Sequence, residues 1–198
     1  MDKLAKQITD YYVRKNIIDE DKREIYTYGF KLIFADIINY LIVIIMGIIF
    51  KRIAASVAFL ITLCGVRQFS GGFHAKTFWL CRLSMILTYV LVIILADVIT
   101  KTNNVLLYSL VINILCTAFI GVFAPIEHEN KPLTKKQKEK NKIRSLITAF
   151  VLSVVSIIMV IADMQTGVTI SVTLLAVILL MFISMVMKKG GNSDVQLD

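Results

Sequence analysis

Charge is scarce in this chain, and so are the residue patterns that staple loops or hold metals. Only 18% of its 198 residues are charged while 57% are hydrophobic, which lies outside the habit of soluble domains. The three cysteines, Cys64, Cys81 and Cys116, are odd in number and scattered, which argues against a disulfide framework. No CxxC and no HExxH occurs, so neither a metal site nor a cofactor is expected. No internal repeat is evident. Residues 1–29 are polar and charged, without the apolar core and small-residue cleavage site of a signal peptide. The N-terminus is therefore expected to stay in the mature protein.

What the chain has instead is apolar blocks. Residues 30–50, 83–100, 105–124 and 168–187 are each long enough to span a bilayer, and 146–162 is marginal. Residues 53–66 would make a helix of only about 21 Å, against a hydrocarbon core of about 30 Å. That block must thin the bilayer, extend toward Arg67, or be re-entrant. The expected fold is all-α: a polytopic membrane helical bundle of about six transmembrane segments. Ahead of it, residues 3–18 set Leu4, Ile8, Tyr11, Tyr12 and Ile18 on one helical face, with Lys3, Lys6, Arg14 and Lys15 around much of the rest. This reads as an amphipathic interfacial helix, or one packed on the protein's own cytoplasmic face. Asp19-Glu20-Asp21 is expected to start a second short helix.

The net charge is +8. In a membrane chain this points to basic residues held beside anionic lipid, not to nucleic acid. With the N-terminus cytoplasmic, nineteen of the 22 Lys and Arg fall on inner segments; Lys51, Arg52 and Lys101 fall outside. Six spans with both termini cytoplasmic satisfy the positive-inside rule, whereas an odd number would scatter the positives. The expected organisation is one membrane-embedded domain, 1–189. It comprises a cytoplasmic N-terminal region 1–29, a cytoplasmic chemical segment 67–82 and a basic cytoplasmic loop 125–145. Residues 190–198 are expected to form a flexible tail.

The chemistry concentrates in Arg67-Gln68-Phe69-Ser70-Gly71-Gly72-Phe73-His74-Ala75, followed by Cys81. A thiol becomes a nucleophile when a base or positive charge favours its thiolate. His74, Lys76 and Arg82 supply such groups around Cys81, and His128 is a second candidate base. Cys64 and Cys116 sit inside apolar segments and read as small hydrophobic residues; Cys81 could be one as well. On a straight helix His74 would point away from Cys81, so the imidazole is expected in a turn. Gly71-Gly72 permits that turn and leaves amide N–H groups open to an oxyanion, though a plain interhelical turn needs the same glycines. Arg67 could anchor a helix end, bind lipid phosphate or hold a substrate carboxylate. Phe69, Phe73, Phe78 and Trp79 form an interfacial aromatic belt or exclude water from an intermediate.

Together Arg67-x-x-x-Gly71-Gly72-x-His74-Ala75 and Cys81 resemble the signature of the accessory gene regulator B (AgrB) family. Ala124-Pro125 and Lys131-Pro132 resemble its proline-bearing segment before a basic loop. The resemblance covers nearly the whole chain. It implies a multi-pass protein of the Gram-positive cell membrane, a cysteine endopeptidase that processes quorum-sensing peptide precursors. On this resemblance Cys81 is the nucleophile and His74 its base, with Arg67 and Gly72 among the other positions that activity depends on. The implied partner is an AgrD-like propeptide, cut on the C-terminal side of its pheromone segment and then closed into a thiolactone or lactone. Lys135, Lys136, Lys138, Lys140, Lys142 and Arg144 would draw in the acidic propeptide tail, or attract anionic lipid. Membrane lipid and a homodimer are further partners to consider; nucleic acid is not.

Two acids fall in or near the apolar blocks. Asp36 is a candidate orienter for His74, and Asp97 reads as interfacial. Asn39 and Asn113 are expected to bridge helices. The competing function classes are a small six-span transporter and a non-enzymatic lipid-binding protein. A transporter should show broken helices or repeated polar groups at mid-membrane, and a binding protein has no need of His74 and Cys81 together.

Overall fold

The computed structural model of the chain describes residues 2–71, 78–126 and 134–191. These form seven α-helices: α1 Asp2–Arg14, α2 Arg23–Ile49, α3 Ile53–Ser70, α4 Phe78–Thr100, α5 Val105–Phe123, α6 Lys135–Ile161 and α7 Gln165–Gly191. A short 3-10 helix, Glu20–Lys22, has Asp19 at its N-cap position and leads directly into α2, so the acidic triplet starts a short helix, as expected, and a long one follows without a break. Six helices, α2 to α7, are long and apolar enough to cross a membrane. The chain divides into two compact units, Met1–Ile45 and Met46–Asp198, with α2 running through the boundary.

In the first unit α1 folds back on the start of α2. Asp10 accepts from Arg23 Nη2 at 2.6 Å and Nε at 3.1 Å, Asp2 pairs with Lys31 at 2.7 Å, and Tyr12 stacks on Phe30. Pairs as exposed as these add little stability each; they set direction and register. Ala5 and Thr9 are the buried residues of α1, and the Thr9 hydroxyl donates to the Ala5 carbonyl at 2.9 Å. Leu4 and Tyr11, on the apolar face, stand exposed, which fits the interfacial alternative and not the packed one for these two side chains.

In the second unit α7 is the hub, with α3, α4, α5 and α6 all packed on it. Residues 167–174 are buried without interruption, as required of a helix enclosed on every side. Its hydroxyls are satisfied locally or across helices. Thr173 Oγ1 donates to the Thr169 carbonyl at 2.6 Å. Ser156 of α6 donates to the Gly167 carbonyl at 2.8 Å, shares a 2.6 Å bond with Ser171 and accepts from Asn113 Nδ2 of α5 at 3.2 Å. Asn113 also donates to the Ser153 carbonyl, so this residue bridges helices as its sequence position suggests. Such bonds average well under 2 kcal/mol each, about 0.6 in measured cases. Their constraint is geometric, because these donors have no water to turn to inside a bilayer.

The extent of α3 matches one of the expected alternatives, extension toward Arg67, whereas that of α6 differs from the sequence reading. α3 is continuous for 18 residues, about 27 Å of helix, because it runs on through Arg67 to Ser70. That is long enough to cross. α6 begins at Lys135, so the basic stretch 135–144 is helical. Thr134 Oγ1 accepts from the Gln137 N–H and Gln137 Oε1 accepts from the Thr134 N–H, a capping box that starts the helix among its lysines. At the other end of α3, Arg52 forms an ion pair with Asp97 near the end of α4. The apparent interfacial acid therefore has a cationic partner.

Gly167 shows how close the helices come. A Cβ there would lie 2.6 Å from the Ser156 carbonyl oxygen and 2.8 Å from the Val160 nitrogen. Gly167→Ala should destabilise the bundle by about 1–3 kcal/mol. Gly29→Ala, with nothing within 4 Å, should not. Unfolding of the full chain in mild detergent measures the difference, and equal stability of the two variants would contradict this packing.

Candidate active site

α3 ends in a turn that demands glycine. Gly71 has φ +72 and ψ −165, a region costly for any residue with a Cβ. Its N–H donates to the Arg67 carbonyl at 3.1 Å and so completes the helix end. That bond corrects one expectation: the Gly71 amide is already engaged and is not open to an oxyanion. Ser70, fully buried, presents its carbonyl to the N–H of Ile126 at 2.8 Å, and Gly71 pairs with Ile126 in an isolated parallel bridge. A Cβ on Gly71 would run into the Ile126 carbonyl oxygen.

This bridge joins the two parts of the motif that sequence could not connect. Ile126 follows Ala124-Pro125, whose peptide bond is cis and whose two residues are buried. The Arg67–Gly71 element and the proline-bearing segment are therefore in direct contact. A backbone bond of this kind has no side-chain signature, so no pattern in the sequence could have disclosed it.

Cys81 lies in the first turn of α4, half-buried and outside any disulfide. Arg82 follows it, and the Arg82 Nε is buried without a hydrogen-bond partner among the described residues. Ser84 Oγ donates to the Cys81 carbonyl at 3.2 Å. Cys64 and Cys116 lie within α3 and α5, remote from both helix starts. Gly72, His74 and Lys76 lie outside the described residues, as do His128, Lys131 and Pro132.

The cationic residues of α6 are not equivalent. Lys135, Lys136, Lys138, Lys140 and Lys142 are exposed. Arg144 instead sets its guanidinium over the ring of Phe69, 5.6 Å from the ring centre. Asp36 belongs to the first unit and stands exposed on α2. Among the described residues no group of three His, Cys, Asp or Glu gathers to hold a metal. A groove of about 490 Å³ lies between the middles of α5 and α6, lined by Asn113, Thr117, Phe150 and Ser153 among apolar side chains. It touches none of the motif residues.

A family model described as Accessory gene regulator B matches residues 5–187. An AgrB-like protein 2 of Clostridium perfringens (strain 13) is 26% identical over 167 residues, covering 80% of this chain and 78% of that one. An AgrB-like protein of C. perfringens (strain SM101) is 27% identical over 74% of this chain and 71% of its own length. Protein FsrB of Enterococcus faecalis is 27% identical over 74% of this chain, which spans 62% of FsrB. No solved structure matches.

The bridge can be tested apart from any activity. Gly71→Ala, and Ile126→Pro, which deletes the donated N–H, should each lower stability by about 1–3 kcal/mol. Thermal unfolding in detergent reads this, and a wild-type transition in both variants would contradict the bridge.

Proposed function

Because this chain belongs to the accessory gene regulator B family, we propose that it is a membrane cysteine endopeptidase that cuts a pheromone precursor and passes the acyl group on for ring closure. Family membership and six candidate spans make it a multi-pass membrane protein with a role in the accessory gene regulator quorum-sensing system. The observation that carries the finer reading is the family match over residues 5–187, which includes a half-buried Cys81, outside any disulfide, at a helix start beside Arg82. The positive-inside asymmetry supports a cytoplasmic location for both termini and for Cys81.

The steps balance without a cofactor. His74 takes the Cys81 thiol proton, and the thiolate attacks the carbonyl carbon of the precursor bond. The carbonyl oxygen becomes an oxyanion for which the Gly72 N–H is the candidate donor. Collapse expels the amine of the C-terminal tail, which takes the proton from His74. The pheromone segment is then held as a thioester on Cys81. A thiol within the precursor attacks it, the ring closes as a new thioester, and the proton released returns to the Cys81 sulfur. One thioester replaces another, so the exchange is near energy balance. It requires the attacking thiol nearby and water excluded. The exposed lysines of α6 suit the acidic tail.

In membrane vesicles holding the full chain, Cys81→Ala and His74→Ala should each abolish precursor cleavage. Full activity in either would rule out this reading. Reversing the charge of Lys135, Lys136, Lys138, Lys140 and Lys142 together should raise KM on the order of tenfold at low salt and less at high salt. An unchanged KM would remove these lysines from substrate binding.

A further inference from the structure

We propose that Phe69 and Arg144 are a positioning pair: they fix the end of α3 for the reaction at Cys81, and Arg144 is not a contact for the acidic tail. This rests on the acyl-transfer reading above. The pair is the outermost rung of an antiparallel crossing. One turn deeper, the open face of Gly65 meets the Thr148 methyl, 3.6 Å from where a Cβ would stand. Moving four residues along each helix in opposite senses leads from Gly65 and Thr148 to Phe69 and Arg144. Ser70 and Ser145, the next residues, are both fully buried, so the two backbones run close at this level. Glycine at 65 permits the approach, and the stacked guanidinium closes it.

The end of α3 is thus held from two directions. Ile126 grips the Ser70 carbonyl from beyond α5, and Arg144 covers the adjacent Phe69 from α6. A guanidinium is planar and weakly hydrated and can lie on a ring, whereas an ammonium is a compact, strongly hydrated charge. Arg144 and the lysines of α6 therefore do different work although all are cationic. An acidic tail would be indifferent to Arg against Lys at position 144; a stacked pair would not.

The test uses the full chain in vesicles with a precursor peptide, reading kcat and KM. Alkylation of Cys81 by iodoacetamide is read in parallel, with Cys64 and Cys116 replaced by alanine. Phe69→Leu and Arg144→Lys should each lower kcat about ten- to a hundredfold with KM little changed, and should slow Cys81 alkylation. Phe69→Tyr, which keeps the ring face, should restore both. Lys142→Gln should change KM alone. A wild-type kcat in Arg144→Lys, or a rise in KM alone in Phe69→Leu, would overturn the pair and return Arg144 to the tail-binding set. If Phe69→Leu fails to reach the membrane, Arg144→Lys against Phe69→Tyr decides the question. Were Cys81→Ala to keep full cleavage, the acyl-transfer reading would fall and this inference with it. That result differs from loss of the pair alone, in which Cys81→Ala is inactive while Arg144→Lys is not.

Discussion

The backbone bond from Ile126 to Ser70 is the constraint on which the candidate site depends. It draws together two chain segments that are far apart in sequence, at the point where α3 stops. Once that bond exists, a side chain at position 71 has nowhere to go, and the left-handed φ of Gly71 follows from the same geometry. The buried Ala124 and Pro125 immediately precede Ile126 in the chain. Residues that look like separate signatures are therefore two sides of one contact. The Phe69–Arg144 stack holds the same helix end from a second direction.

Behind the turn lies a rigid frame. α7 is enclosed by four helices, and its small and β-branched residues let them approach closely. Asn113, Ser153, Ser156 and Ser171 bond to one another across α5, α6 and α7. In lipid such groups must find partners within the protein, so they fix the register of the helices against sliding. Registers fixed in the bundle fix where α3, α5 and α6 begin and end, and those ends carry the motif. At the opposite end of α3, Arg52 and Asp97 neutralise each other.

Much of this was legible in the sequence, for one reason. Long apolar blocks have a single structural solution in a bilayer, so the six spans follow from hydropathy, and their parity from the placement of Lys and Arg. Boundaries were harder. Arg67 and Gln68 lower the hydropathy of the last turn of α3 and hide it. The lysines of α6 look like a loop because charge dominates a hydropathy reading, while Thr134 and Gln137 quietly supply a helix start. On α1 the apolar pattern allowed an interfacial or a packed helix; Leu4 and Tyr11 are exposed while Ala5 and Thr9 are buried, so the apolar face is left outward and small residues turn inward. The Arg52–Asp97 pair and the Ile126–Ser70 bond join residues with no local pattern between them. For the site, Cys81 and the glycine turn stand out by residue type and family resemblance, yet the stacking of Arg144 on Phe69 beside exposed lysines emerges only from the packing.

The central claim is that Cys81 carries the pheromone segment as a thioester before the ring closes. Intact-mass spectrometry of the full protein, taken soon after mixing with precursor in vesicles, tests it most directly. The account requires an adduct equal in mass to the precursor lacking its C-terminal tail and retaining its attachment to the enzyme. That adduct should map to Cys81, be released by hydroxylamine, and accumulate when the ring-closing thiol of the precursor is removed. Cleavage proceeding at full rate with no adduct on Cys81, or with the adduct on another residue, would contradict it.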